Sequence, residues 1–173
     1  IYIGGLVDRD GAIKFEALLT GNPQVTRIVS EQIEGSIDGT ALYYMGYAIR
    51  RRGLTTHLTA ESEIYSGGVD LFIAGAERTM EAGAVIGVHS WYTDDYDGRD
   101  LPPDDARHGP GRLFVTNMLG DDAFYWFTLE AAPGSGMHVL SPEEIARYGL
   151  LTQPVIVPGR DAAKGWAGAA ERP

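Results

Sequence analysis

The chain has 173 residues, enough for one domain with a sizeable core and too few for two full ones. Asp and Glu outnumber Lys and Arg 24 to 14, leaving a formal charge of −10. A phosphate-binding protein needs a basic face, so nucleic acid and anionic membrane surfaces are poor partners. The lack of cysteine removes disulfides, thiolate nucleophiles and cysteine metal sites, and no apolar run reaches the roughly 18 residues of a membrane span.

In chain order, Ile1 to Leu6 is short, apolar and interrupted by glycine, as a buried strand would be. The chain opens in that strand without an initiator Met, so a preceding segment, able to carry a targeting signal, is expected to have been removed. From Asp8 to Thr20, Ile13, Ala17 and Leu18 fall at helical spacing before Gly21-Asn22-Pro23 stops the helix. Val25 to Ser30 is a second strand. Ser36 and Asp38 offer caps to a helix striped with Ala41, Leu42, Met45, Ala48 and Ile49, which ends in Arg50-Arg51-Arg52-Gly53 with its cations at the negative end of the dipole. Leu54 to Leu58 is a strand, Ser66 to Ala74 a helix entered through Gly67-Gly68, and Arg78 to Glu81 and Val85 to Val88 are two more strands. This alternation predicts a largely parallel sheet with right-handed crossovers.

After His89 the texture changes, and Ser90 to Gly111 is polar and rich in Asp, Gly and Pro, too long for an ordinary connector. Its carboxylates, Asp94, Asp95, Asp97, Asp100, Asp104 and Asp105, are hard-cation ligands, but their spacing is not that of an EF-hand, and a solvated lid is expected in place of a metal site. Arg112 to Ala132 resumes a helical pattern, broken near Gly120-Asp121-Asp122. Its aromatic run Phe124, Tyr125, Trp126 and Phe127 covers all sides of a helix, as core or subunit contact would. Ser141-Pro142-Glu143-Glu144 is a capped helix start ended at Tyr148-Gly149, and the Ala/Gly/Pro-rich tail over 158–173 is expected to be loose.

The segment Tyr65-Ser66-Gly67-Gly68-Val69-Asp70-Leu71-Phe72-Ile73-Ala74-Gly75, then Arg78, then Gly87-Val88-His89-Ser90-Trp91, resembles the nucleophile helix and following strand of the ClpP peptidase family. The interval from Ser66 to His89 is 23 residues, in keeping with that family. Upstream, Glu34-Gly35-Ser36 takes the place of the family's Gly-Gly-Ser turn. Downstream, Leu140 to Leu150 is similar to its closing helix. The resemblance runs from about Ile1 to Leu151 and implies an α/β fold: a ClpP/crotonase-type spiral of β-β-α units with a largely parallel sheet and C-terminal helices. The domain would span 1–157, with 92–111 as its long acidic loop. Within the superfamily the chain looks most like predicted periplasmic or secreted bacterial ClpP-like proteins.

What the resemblance implies for chemistry is a serine hydrolase, a peptidase first, with Ser66 as nucleophile, His89 as general base, and the N–H groups of Gly67 and Gly35 as oxyanion donors. Read without it, Ser66 is an ordinary helix N-cap and His89 one of four histidines, beside His57, His108 and His138. Glu34 stands where the family has glycine, and a carboxylate turned inward there would oppose an oxyanion. Met137 stands where an orienting acid belongs, with His138 beside it. Asp70, one turn after Ser66, is the first substitute for that acid, with Asp94, Asp95, Asp121 and Asp122 as others; an ion pair between Asp70 and Arg78 is its bland alternative. A Ser–Lys dyad is set aside, because the only lysines are Lys14 in the first helix and Lys164 in the tail. No cofactor or metal is called for. The partners expected are a peptide or acyl substrate and further copies of the chain, as a trimer or ring. The competing readings are a catalytically silent binding or assembly protein and crotonase-type acyl-CoA chemistry.

Overall fold

The computed structural model describes residues 1–157 of the protein; the tail over 158–173 lies outside them. The elements in order are β1 (Tyr2–Ile3), β2 (Leu6–Val7), α1 (Arg9–Gly21), β3 (Arg27–Ile33), β4 (Gly35–Ser36), α2 (Gly39–Arg51), β5 (Thr55–Tyr65), α3 (Gly67–Ile73), β6 (Glu77–Met80), β7 (Val85–Val88), α4 (Gly109–Leu119), α5 (Ala123–Ala131), β8 (His138–Val139) and α6 (Pro142–Arg147). The strand expected over the first six residues is in fact two. Gly5, at φ 87°, turns the chain so that β1 pairs with β3 and β2 with β4.

Local signals account for most of the helix boundaries. Asp8 accepts from Gly11 N at 2.7 Å and starts α1; Asp38 accepts from Ala41 N at 3.0 Å and starts α2. The α2 stripe Ala41, Leu42, Met45, Ala48 and Ile49 is buried throughout. A capping box of Ser141 and Glu144 opens α6. Gly120, at φ 104°, takes the left-handed position that ends α4. The inward face of α1 differs from the expected one: Ala12, Phe15 and Leu19 are buried, whereas Ile13 is 63% exposed and Leu18 42%. Both sets are helical in spacing, and the larger Phe15 takes the core side.

The main sheet has the order β1-β3-β5-β7-β8, with β6 also on β5, and all pairings are parallel except β7 with β8. β5 extends well beyond the expected Leu58 and is shared between two layers. Its first half, Thr55–Leu58, pairs with β6, and its second, Glu63–Tyr65, pairs with β7. A register shift between Ser30 and Gln32 of β3 accompanies this bend. The sheet therefore winds as a spiral, with α2 and α3 packed together on it. Phe114 of α4 is fully buried, its ring lying where a side chain at Gly46 of α2 would stand.

Arg78 is a buried cation held by carbonyl oxygens. Its guanidinium donates to Leu150 O at 2.8 Å, Gly75 O at 3.0 Å and Gly149 O at 3.2 Å, which ties the end of α3 to the turn after α6. Burial, followed by the nearby Arg50, lowers its pKa. The carbonyls take up its donors, so the ion pair with Asp70 weighed from the sequence does not form.

The segment after His89 is built, not a solvated lid. Two short 3-10 turns, Gly98–Asp100 and Ala106–His108, are capped by Asp97 and Asp105, and Asp97 also accepts from Gly134 N at 2.6 Å. Asp97 and Asp105 thus act as backbone caps, the other four carboxylates are exposed, and among the described residues no group of three metal-ligating side chains comes together. No helix among the described residues is long and apolar enough to cross a membrane.

Candidate active site

Two strand ends create the site. Tyr65, the last residue of β5, pairs with Gly87 of β7 in parallel register, so Ser66 and His89 leave the sheet at the same end of adjacent strands. Ser66 N donates to Gly87 O at 2.9 Å, which pins the turn into α3. In that turn Ser66 has φ 51° and ψ −119° and is the one non-glycine residue at positive φ among those described. Its hydroxyl makes no capping bond to α3. The N-cap reading fails on that point: the backbone is held in an unfavourable conformation and the side chain gains no cap in return.

The turn leaves two backbone groups beside the hydroxyl. Gly67 N–H opens α3, where no intrahelical acceptor exists, and it donates to no acceptor among the described residues. Gly35 lies against the serine from β4: at φ 141°, a Cβ there would stand 3.4 Å from Ser66 Cβ and 3.7 Å from Oγ. The backbone angle, more than the space, calls for glycine there. The β4 turn is fixed by Ser36 Oγ, which donates to Val7 O at 3.2 Å. Glu34, the departure beside it, is exposed, so its carboxylate faces water and not the serine.

His89 is oriented by the backbone. Its Nδ1 lies 2.7 Å from Ser90 O, and a carbonyl oxygen only accepts, so Nδ1 carries the hydrogen and Nε2 of the neutral ring carries the lone pair. Ser90 is itself fully buried, its N donating to Ala132 O at 2.9 Å and its Oγ accepting from Arg99 N at 2.9 Å. The loop after His89 therefore holds the carbonyl that the ring needs. Met137 falls opposite His89 when the β7–β8 ladder, Gly87 with Val139 and Val88 with His138, is continued by one residue. It is 44% exposed, and its sulfur lies over Gly87, 2.9 Å from where a Cβ would be. The acid position is thus apolar, and Ser90 O supplies the orientation instead. A carbonyl selects the tautomer as a carboxylate would, but would bring no full charge to an imidazolium at this position.

Asp70 does not orient His89; no hydrogen bond joins them among the described residues. It lines a cavity of about 70 Å³ together with Ser66, His89, Tyr43, Trp91 and Tyr125. Enclosure pushes its carboxyl up to about 7. Burial in turn pushes the Tyr125 phenol up to about 12, and burial, then Asp70, raises the Tyr43 phenol, so both hydroxyls stay protonated. Tyr125 OH accepts from Trp91 Nε1 at 2.7 Å and lies 2.7 Å from His108 Nδ1. Of the aromatic run assigned to core or subunit contact, Phe124 and Tyr125 are core residues that also wall this cavity.

The other histidines are accounted for elsewhere: His57 with Thr79 and Glu81, His108 with Tyr125, and His138 with Glu144 at 3.0 Å. Asp122 pairs with Arg112 at 2.8 Å. Asp121 accepts from Ala123 N at 2.9 Å. Asp94 and Asp95 line a separate surface depression. Lys14 sits on α1, and Lys164 lies outside the described residues. Sequence reasoning missed Ser90, Tyr43 and Tyr125, because nothing local marks a carbonyl or a phenol that reaches the site from another element.

No protein-family model matches the chain, and no curated protein matches it. Solved structures do. A mutant of the 1510-N membrane-bound stomatin-specific protease, in complex with a substrate peptide, aligns at a TM-score of 0.60 and 15% identity over 90% of this chain and 72% of that one. A second mutant of that protease aligns at 0.61 and 14% over 90% and 76%. A ClpP1 mutant from Listeria monocytogenes aligns at 0.60 and 16% over 93% and 92%. At identities of this size the likeness is one of fold, and the chain has the ClpP-type α/β fold.

Proposed function

We propose that the protein is a serine hydrolase acting on peptides, with Ser66 as nucleophile and His89 as general base. The observation that carries this reading is Ser66 itself, held at φ 51° without a capping bond in a cavity it shares with His89. Strained serines at strand-to-helix turns serve to present a hydroxyl. Ser66 Oγ attacks the substrate carbonyl carbon while His89 Nε2 takes its proton. Gly67 N–H and Gly35 N–H stabilise the oxyanion, and the imidazolium then protonates the leaving amine. Water, deprotonated by the same nitrogen, releases the acyl group. A homo-oligomer, as a trimer or ring, belongs to the same proposal; the exposed Leu6, Ile13, Ile37 and Tyr44 are the apolar surface that assembly would cover.

One observation favours the second reading, binding without turnover: no hydrogen bond joins Ser66 Oγ to His89 among the described residues. Such bonds often close only in the substrate complex. Fluorophosphonate labelling decides between the two. The hydrolase reading requires label on Ser66, its loss in Ser66→Ala and a strong loss in His89→Ala, with peptide hydrolysis following the same order. A folded protein left unlabelled at Ser66 would establish the silent reading.

A further inference from the structure

The cavity under Ser66 contains a group that the proposed chemistry does not use. The Asp70 carboxyl makes no hydrogen bond among the described residues, although the polar side chains around it are largely satisfied: Tyr125 OH by Trp91 and His108, and Thr128 Oγ1 by Tyr125 O at 2.8 Å. Besides Ser66 Oγ, Tyr43 OH is the hydroxyl there without a partner among the described residues. The remaining wall is apolar, made by Val69, Val88, Val115 and Phe124. A half-buried carboxyl with no protein partner beside so apolar a wall is incompletely hydrated, and a ligand that brought it a donor would complete it.

We infer that Asp70 is the specificity-determining residue of this site, selecting a short side chain that donates a hydrogen bond, such as Asn or Thr, on the residue whose carbonyl Ser66 attacks. This rests on the hydrolase reading. The α-helical rise puts the Asp70 Cα only about 6 Å beyond that of Ser66, and its Cβ tilts back toward the start of α3. The substrate atoms able to enter that gap while the carbonyl carbon sits at Ser66 Oγ are those of the acyl residue's own side chain. The cavity's 70 Å³ or so holds a group of a few heavy atoms, the volume of roughly two waters; Phe, Lys and Arg exceed it. Within that size, the carboxyl and the Tyr43 hydroxyl discriminate by chemistry. An apolar isostere leaves both unpaired, whereas an amide or hydroxyl gives Asp70 a donor. An amide complements the carboxyl in either protonation state, because its NH2 donates to one oxygen and its C=O accepts from a protonated one.

The test is a set of fluorogenic peptides differing only at the acyl residue, in the isosteric pairs Asn/Leu and Thr/Val, measured as kcat/KM ratios. The unmodified protein is expected to favour Asn over Leu and Thr over Val by about tenfold or more, as sites built around a substrate donor do. In Asp70→Leu both ratios fall toward one, and in Asp70→Ala, which also enlarges the cavity, the Asn/Leu ratio falls below one. Both variants are checked for folding by circular dichroism; the Asp70 carboxyl has no hydrogen-bond partner to lose among the described residues, so at least one is expected to fold. Cleavage with ratios unchanged by either variant, or a preference for Leu in the unmodified protein, overturns the role of Asp70 and leaves the hydrolase reading standing. Cleavage of no peptide, with Ser66 unlabelled by fluorophosphonate, overturns the hydrolase reading and this specificity with it.

Discussion

Replacing Ser66 separates strain from capping, and the structure sets the size of the effect. At φ 51°, a residue with a Cβ pays about 1–3 kcal/mol relative to a favoured conformation. Glycine avoids that penalty but loses about 0.5–1 kcal/mol more on folding than alanine, through its freer unfolded chain. Ser66→Gly should therefore be more stable than Ser66→Ala by about 1 kcal/mol, which for a domain of this size raises the melting temperature by about 2–4 °C. Ser66→Ala should lie within about 0.5 kcal/mol of the unmodified protein, since the hydroxyl makes no capping bond. The assay is a pair of thermal and urea unfolding curves, with fluorophosphonate labelling alongside to show that both variants are inactive. If Ser66→Ala instead loses about 1 kcal/mol, the value of a lost cap, and Ser66→Gly gains nothing over it, Ser66 is a structural residue and the strain argument is refuted.

Gly35→Ala places a Cβ against Ser66 at a backbone angle that suits only glycine; it should lower kcat by about two to three orders of magnitude, the value of one oxyanion donor, read as the rate of peptide hydrolysis. Asp70→Asn tests the half-buried carboxyl through pH. The folded pKa, near 7, exceeds the ordinary unfolded value, so Asp70 has little effect below the unfolded pKa and destabilises the fold increasingly as pH rises from there through the folded pKa. Asp70→Asn should match the unmodified protein near pH 4 and exceed it by a few kcal/mol near pH 8, and urea unfolding curves parallel at both pH values would count against the enclosure of Asp70. Arg78→Leu leaves three inward-facing carbonyls without their donor and should cost about 2–4 kcal/mol, measured as a drop in the urea midpoint with no change in the Asn/Leu selectivity of any hydrolysis.

Much of this protein was legible where structure depends on near neighbours in the chain. The α2 stripe, its Asp38 cap and its arginine end were all readable, because helix period, capping and dipole act within a few residues. The Ser141 and Glu144 capping box of α6 follows the same logic. The interval from Ser66 to His89 was also readable, since one helix and two short strands fill it. The inward face of α1 was not, because two helical stripes compete there and the choice of Phe15 over Ile13 is made in tertiary packing, where α1 lies against α2. The length of β5 was hidden for a similar reason: its two halves serve different partner strands, and each looks in isolation like a short segment.

By itself the sequence determined the alternation of strand and helix and a largely parallel sheet, because hydrophobic period and turn chemistry are written locally; the spiral and the two residues proposed to react came from the resemblance to the ClpP family. Tertiary structure alone decided their surroundings. It turned Glu34 to water, set Ser90 O on His89 where an acid was expected, diverted Arg78 to carbonyls, and enclosed Asp70 between α2, α3 and α5. The state of a polar group depends on what is left to hydrate or bond it, and that is settled only when distant segments pack together.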